Sequence, residues 1–214
     1  MSSFSVPSWP LGGGFAKGSI DLGGLEVRRV SSFAKVWSAG GGQPSCCRPH
    51  SRRLLPLGSV ALATADTTFA RALVVRSVSD EGGDVLAAPT DFTSSGRPPM
   101  EAATSGSPVA PSGYHAVGYV VTPSADKPSL ESLRCVREDL TEQCEESKSE
   151  LWSTTVPRPI TVRSLVPSVR GPRAAGLPPG TFVVRTSSSG GPSVVRCLKN
   201  KGANLAAAMR TSPK

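Results

Sequence analysis

Few residues in this 214-residue sequence could support catalysis. A nucleophile–histidine–acid triad would require His50 or His115, because the chain has no other histidine. His115 follows Tyr114 on a predicted strand with the opposite parity, and we therefore expect it to face solvent. The sequence also lacks the Gly-x-Ser-x-Gly motif of many serine hydrolases. We expect the protein not to be an enzyme.

The segment Cys46-Cys47-x-x-His50 resembles part of a metal site, since thiolate and imidazole groups bind zinc. A structural zinc needs four ligands, however, and no second pair lies nearby in the sequence. We interpret three further cysteines as small buried hydrophobic residues, with a redox or zinc role as the alternative. They are Cys135, Cys144 and Cys197. We expect no metal and no cofactor.

The cysteine count also bears on the compartment. Five cysteines without a preceding secretory signal argue against a disulfide framework and against secretion. No apolar run approaches the roughly 20 residues that a membrane helix needs. We expect a protein that is cytoplasmic or peripheral on endomembranes, without a transmembrane segment.

Basic residues dominate the C-terminal third of the chain, and the net charge is +8. No acidic residue follows Glu150, so this region would attract the phosphates of nucleic acid or anionic lipid. The basic residues are spaced singly and aromatic residues are only 5% of the chain, which argues against specific nucleic-acid binding. The candidate contacts with an anionic surface are Arg158, Arg163, Arg170, Arg173, Lys199 and Lys201.

Residues 113–139 carry the clearest structural pattern. Apolar residues alternate from Tyr114 to Val121, a turn-rich segment follows at 122–129, and a second apolar run covers 130–136. This pattern predicts a hairpin. A ligand site at the end of that hairpin would draw on Tyr114, Tyr119, Asp126 and Lys127.

Weaker copies of this hairpin lie on both sides, at offsets of about 60 residues, and predict a repeated β architecture. The units would cover about 20–90, 113–151 and 180–200. Short strands at 19–22 and 25–30 would flank a two-residue Gly23-Gly24 turn. Other segments have less definite predictions: a flexible loop at 93–112, a short helix or a charged loop at 138–152, a loop at 165–179 and a basic tail at 201–214.

Several motifs match a known family. They are Trp9-Pro10, Gly14-Phe15-Ala16, Leu25-Glu26-Val27, Phe33-Ala34-Lys35-Val36-Trp37, Gly113-Tyr114, Val120-Val121-Thr122, Asp126-Lys127-Pro128, Arg134-Cys135-Val136-Arg137, Asp139-Leu140-Thr141 and Cys197-Leu198-Lys199-Asn200. The sequence resembles the plant branch of the vacuolar protein sorting-associated protein 62 family, a domain of unknown function. Residues 43–73 diverge from the family pattern, as a local shift of reading frame would produce. The family usually continues further, so we expect a truncated copy.

We therefore expect an all-β fold. Three hairpin repeats with long Pro/Gly/Ser loops would form one β-prism-like domain over 1–200, with a trefoil-like module as the alternative. The resemblance implies a non-enzymatic binding or adaptor module linked to vacuolar or endosomal trafficking, in peripheral contact with an unknown protein or an anionic membrane. The alternatives are a lectin-like carbohydrate-binding module, from fold analogy alone, and a truncated copy without function.

Overall fold

The computed structural model describes residues 18–39, 44–64, 66–68, 70–78, 84–94, 104–124, 126–154, 159–169, 176–186 and 194–200. Within these residues nearly all regular structure is β-strand, which confirms the all-β prediction. Helix is limited there to two 3-10 turns, Leu130–Ser132 and Glu138–Leu140.

The strands of the described residues are as follows. They are β1 (Ser19–Asp21), β2 (Leu25–Val30), β3 (Phe33–Ser38), β4 (Ser45–Pro49), β5 (Leu55–Pro56), β6 (Val60–Leu62), β7 (Ala72–Ser77), β8 (Leu86–Ala87), β9 (Asp91–Ser94), β10 (Thr104–Val109), β11 (Tyr114–His115), β12 (Val120–Thr122), β13 (Cys135–Arg137), β14 (Thr141–Thr154), β15 (Ile160–Pro167), β16 (Gly176–Leu177), β17 (Phe182–Thr186) and β18 (Val195–Lys199).

These strands form antiparallel sheets, and each sheet draws its strands from one block of consecutive residues. Block 1 (19–77) contains the sheets β1-β2-β7-β5 and β3-β4-β6. Block 2 (86–137) contains β11-β13-β8 and β12-β10-β9. Block 3 (141–199) contains a single sheet, β16-β18-β14-β15-β17.

The three blocks repeat one pairing scheme. The pairs β5–β7, β11–β13 and β16–β18 correspond, and so do β4–β6, β10–β12 and β15–β17. In block 3 the 14-residue strand β14 pairs with β18 at its start and with β15 afterwards. β14 therefore makes in one strand the pairings that β2 and β3 make in block 1 and that β8 and β9 make in block 2. Its pairing with β15 shifts register between Glu146 and Trp152. The prism-like closure of the blocks remains our interpretation of this pattern.

Three glycine-led segments, one from each block, meet in what we call the junction: Gly58-Ser59, Gly118-Tyr119 and Gly180-Thr181-Phe182. The Ser59 N–H donates to the Tyr119 carbonyl at 2.8 Å, and the Tyr119 N–H donates to the Phe182 carbonyl at 3.2 Å. A Cβ on Gly118 would lie only 2.4 Å from the Thr181 Cβ, so the backbones approach too closely for any larger residue.

Two hydrophobic clusters draw on all three blocks. The larger one includes Leu25 and Leu57 from block 1, Val117 from block 2 and Leu198 from block 3. A second cluster contains Cys46, Ala61, Val121, Ile160, Val162, Phe182 and Val184. No single hairpin has enough apolar surface to be stable alone, so this shared burial joins the blocks.

The hairpin predicted around Gly23-Gly24 is confirmed. β1 pairs with β2, and both glycines have a positive φ, at 91° and 88°. That backbone conformation suits the two-residue turn, and the Asp21 carboxylate accepts hydrogen bonds from both glycine N–H groups.

The predicted hairpin at 113–136 is right in part. β11 pairs with β13, as expected, but the first predicted strand divides and its second half, β12, joins a different sheet beside β10. Gly118 lies at the division and allows the chain to cross the junction.

The flexible loop predicted at 93–112 is wrong over 93–94, which end β9, and over 104–109, which form β10. β10 contains small and polar residues without alternation, and it forms because β9 and β12 pair with it on both sides. Pro108 is tolerated because β12 pairs only with residues 104–106. Residues 95–103 and the predicted tail at 201–214 lie outside the described residues.

Two further segments differ from their predictions. Residues 138–152 form a 3-10 turn and most of strand β14, neither the helix nor the charged loop that were expected. The acidic side chains suggested a solvated segment, but pairing with β15 and β18 makes it a central strand. The loop predicted at 165–179 contains the end of β15 and the short strand β16. The divergent segment 43–73 supplies β4, β5, β6 and the start of β7.

Candidate functional site

A cleft of about 240 Å³ opens between blocks 2 and 3. Block 2 contributes β10, β11 and residues 116–119, and block 3 contributes β15, β17 and β18. His115 and Arg196 are among its lining residues, and the junction segment forms one of its walls. Leu165 and Val183 in that lining belong to a cluster with Cys144 and Cys197, so the cleft is supported by packed apolar residues.

His115 has a defined tautomer. Its Nδ1 lies 2.8 Å from the Thr141 hydroxyl, which itself donates to the Glu138 carbonyl at 2.9 Å. A hydroxyl has one proton, so Thr141 must accept from His115 and Nδ1 carries the hydrogen. Nε2 is then the ring nitrogen without a hydrogen-bond partner among the described residues. The prediction that His115 faces bulk solvent is wrong, since it is half-buried in the cleft.

Two effects oppose protonation of the His115 ring. Burial lowers its pKa first, the nearby Arg196 charge lowers it further, and Glu138 acts in the opposite direction. Burial and the Arg196 charge thus both favour the neutral ring.

Arg196 lies on β18 and has neither a hydrogen bond nor an ion pair with any described residue. Its equivalent in block 2, 62 positions earlier, is Arg134, which forms an ion pair with Glu131 and donates to the Leu133 carbonyl at 2.9 Å. The same repeat position thus carries a paired arginine outside the cleft and an unpaired one inside it.

Tyr114 and Tyr119 both line the cleft. The Tyr114 hydroxyl donates to the Asp84 carbonyl at 2.6 Å, which fixes the ring. Tyr119 packs against two hydrophobic clusters, and its ring centroid lies 6.4 Å from that of Phe182. Both rings are therefore held in place before any ligand binds.

A family comparison bears on this geometry. The model of the family named "Vacuolar protein sorting-associated protein 62" matches residues 2–213, nearly the whole chain. The chain belongs to this family.

Solved structures add information on the fold of this family member. One that resembles it is the crystal structure of GNIP1Aa from Chromobacterium piscinae, with a TM-score of 0.64 and 13% sequence identity. The match covers 86% of this chain and 40% of that protein, so the chain corresponds to less than half of its length. At this identity the likeness concerns the fold alone. Comparison with curated proteins gave no match.

The other two residues of the predicted ligand site lie apart from the tyrosines in this family member. Asp126 accepts a hydrogen bond from the Ser124 hydroxyl at 3.1 Å, and Lys127 forms an ion pair with Asp91 at 2.7 Å. Neither Asp126 nor Lys127 lines the cleft. The structure therefore brings the two tyrosines together in the cleft, and Asp126 and Lys127 have partners outside it, namely Ser124 and Asp91.

The predicted anionic-surface contacts fall into two groups. Arg158, Arg170, Arg173 and Lys201 lie outside the described residues. Arg163 is paired with Glu150 at 2.8 Å, and Lys199 is half-buried on β18. Acidic residues of β14 thus neutralise part of the basic charge, since Glu146 also pairs with Arg185.

The cysteines of the described residues are all buried and free. Cys46 and Cys47 are neighbours on β4, so their side chains point to opposite sheet faces, and His50 lies beyond the strand. Burial raises the pKa of Cys46 to about 12, which keeps it a thiol. The pKa of Cys144 is raised by its hydrogen bond with Cys197 and by burial. Within the described part of the chain, no group of three metal-binding side chains is found.

Sequence reasoning did not single out Arg196 and Thr141. Arg196 belongs to a strand-like segment with an arginine in each repeat, and nothing in the sequence distinguishes the unpaired copy. Thr141 comes into contact with His115 because β13, which pairs with β11, leads into the 3-10 turn Glu138–Leu140 that directly precedes Thr141. Among the described residues, no helix has the length and apolar character that a membrane span requires.

Proposed function

We propose that this chain is a non-catalytic binding module that serves trafficking to the vacuole or endosome. Family membership supports the process, and the cleft between blocks 2 and 3 supports the binding role. The cleft is the observation that carries the proposal, because its tyrosine rings are held in place and its arginine, Arg196, has no acidic partner among the described residues. His115 is bonded to Thr141, an arrangement that serves positioning better than proton transfer.

The partner is an anionic membrane surface, contacted from the cytoplasmic side of endomembranes. The net charge of +8 favours such contact, and the cleft would supply a specific site within it. An adaptor role would follow if a second protein bound elsewhere on the module.

Co-sedimentation with vesicles tests this function. The full chain should sediment with phosphatidylcholine vesicles that contain an anionic phospholipid, and not with phosphatidylcholine alone. Added salt should weaken the binding, because surface charges are screened within about 10 Å at moderate ionic strength. Equal sedimentation with both vesicle types would contradict the proposal.

A second candidate is carbohydrate binding. Tyr114 and Tyr119 line the same cleft, and fixed aromatic rings stack well on the apolar faces of sugars. A glycan array probed with the full chain should then give signals that Tyr119→Ala abolishes. An array without retained glycans would leave the membrane proposal as the better one.

A further inference from the structure

The charges of the cleft lining are one-sided. Among the described residues that line it there is one arginine, one histidine and no carboxylate. Arg134, Arg163 and Arg185 each form an ion pair with a glutamate, whereas Arg196 has no such partner among the described residues. A guanidinium left unpaired in a concave site has its donors available for an anion.

His115 strengthens the preference of the cleft for an anion. Its Nδ1–H is committed to Thr141, so Nε2 is the nitrogen that a ligand can reach. Neutral Nε2 accepts a hydrogen bond from a protonated oxygen, and protonated Nε2 donates one to an anionic oxygen. A phosphate monoester offers both kinds of oxygen at neutral pH, because its second pKa is about 6. A carboxylate offers only acceptors.

Two charged side chains on neighbouring elements change the pKa of the His115 ring. Arg196 on β18 opposes protonation, and Glu138 in the 3-10 turn before β14 favours it. The equivalent positions in the other blocks are Pro56 and Leu177, which face Val74 and Leu198 in the corresponding pairs. Only block 2 therefore carries a titratable side chain at this place in the repeat.

The size of the cleft limits the ligand. A volume of about 240 Å³ suits a phosphate group with a few further atoms and not an oligosaccharide. Val194, which is 63% exposed, lies in the lining and adds apolar surface to it.

We propose that the cleft is a phosphate-monoester site, with Arg196 and His115 as the ligand-contacting residues. The ligand is a small phosphate monoester, either as a lipid headgroup or as a soluble molecule. This inference rests on the binding role proposed above and gives it a ligand class.

Calorimetric titration of the full chain with inorganic phosphate and with inositol monophosphate is the first test. Arg196→Ala should weaken binding about tenfold, the loss expected for one charge-assisted contact. Lys199→Ala is the matched control, because it removes the same charge from the same strand and does not line the cleft. It should change the affinity less than about twofold.

The pKa of His115, followed by NMR in the unsubstituted protein, is the second test and does not depend on a variant that folds. Phosphate should raise this pKa, since an anion stabilises the imidazolium. Sulfate offers only acceptor oxygens, as a carboxylate does, so it should raise this pKa less than phosphate does at the same concentration. An unchanged pKa in the presence of phosphate, or an equal rise with both anions, would overturn the phosphate-monoester site.

Vesicles that contain phosphatidylinositol monophosphate distinguish a lipid headgroup from a soluble molecule as the ligand of the cleft. Loss of vesicle binding in Arg196→Ala and not in Lys199→Ala would assign the lipid headgroup. Binding of soluble inositol monophosphate without vesicle binding would support the site and contradict the membrane role. Vesicle binding that both variants lose equally would overturn the site and leave the membrane role standing.

Discussion

The segment 117–119 separates two regions that differ sharply in packing. On the junction side, Gly118 lies against the Thr181 side chain and Gly58 lies against the Tyr119 carbonyl, with no room for added atoms. On the other side, the same three residues line an open cleft. The fold thus places a crowded contact between blocks beside the space that a ligand could fill.

This difference shows that corresponding segments of blocks 1 and 2 have different roles. At equivalent positions, the Ser59 hydroxyl accepts from the buried Val121 N–H at 3.1 Å, whereas Tyr119 extends into the cleft wall. One backbone arrangement serves stability in block 1 and also shapes a binding surface in block 2. We therefore expect junction substitutions to affect stability and cleft substitutions to affect ligand affinity.

The largest effect should come from Gly180→Ala. Gly180 has a φ of +78°, and a Cβ there would lie 2.1 Å from the Arg71 carbonyl oxygen. Backbone strain and overpacking together should cost about 3 kcal/mol in the free energy of unfolding, measured by denaturant titration. Gly113→Ala is the control, because its φ is +81° and nothing lies within 4 Å. It should cost about 1 kcal/mol, and equal losses would show that the junction is not crowded.

A smaller loss is expected for Thr181→Val. The Thr181 hydroxyl donates to the Val117 carbonyl at 2.6 Å in a buried position. Valine keeps the shape and leaves that carbonyl unpaired, which should cost about 2 kcal/mol. Thr161→Val removes a half-buried hydroxyl of β15 without a hydrogen-bond partner among the described residues, so it should be close to neutral in the same measurement.

Arg196→Ala should leave the thermal unfolding midpoint nearly unchanged. The side chain is half-exposed and makes no ion pair with a described residue, so the change should stay within about 0.5 kcal/mol. Arg185→Ala, which breaks the half-buried pair with Glu146, should be the more destabilising of the two. A strong loss of stability in Arg196→Ala would mean that the cleft wall is part of the core.

The smallest effect concerns pH. The pKa of His115 is lowered in the folded protein, so the unfolded chain binds a proton more readily near its ordinary value of about 6.5. The contribution of His115 to stability is therefore complete above that value and declines as the pH falls below it. Denaturant titrations across this range should show a weaker decline in His115→Gln. An identical decline in the two proteins would show that His115 does not contribute to the pH dependence of stability.

The sequence predicts the local features of this fold better than the long-range ones. Gly23-Gly24 specifies its turn because both glycines adopt a conformation that other residues resist. The offset of about 60 residues matches the spacing of Gly58 and Gly118, whose segments meet at the junction, and the repeated architecture stays a prediction. The sequence does not predict β10 and β14, because their pairing partners, and not their own side chains, make them strands.

The candidate site was predictable only in part, for a related reason. Tyr114 and Tyr119 were identified from a strong strand pattern, and both line the cleft. The sequence also groups Asp126 and Lys127 with them, but Asp126 bonds to Ser124 in the turn after β12 and Lys127 pairs with Asp91 of β9. The hydrogen bond of His115 with Thr141 and the effect of the Arg196 charge on its pKa depend on how blocks 2 and 3 pack, and no short motif specifies that packing.

The junction has a consequence for the order of events during synthesis. Its three segments are separated by about 60 residues each, and Thr181 is in the last of them. Blocks 1 and 2 therefore leave the ribosome with their shared apolar faces uncovered until block 3 has emerged. Such distant pairings slow folding, because the chain must lose loop entropy before the contacts form. The nascent chain would spend this interval exposed to aggregation, and its yield in cells would depend on chaperones.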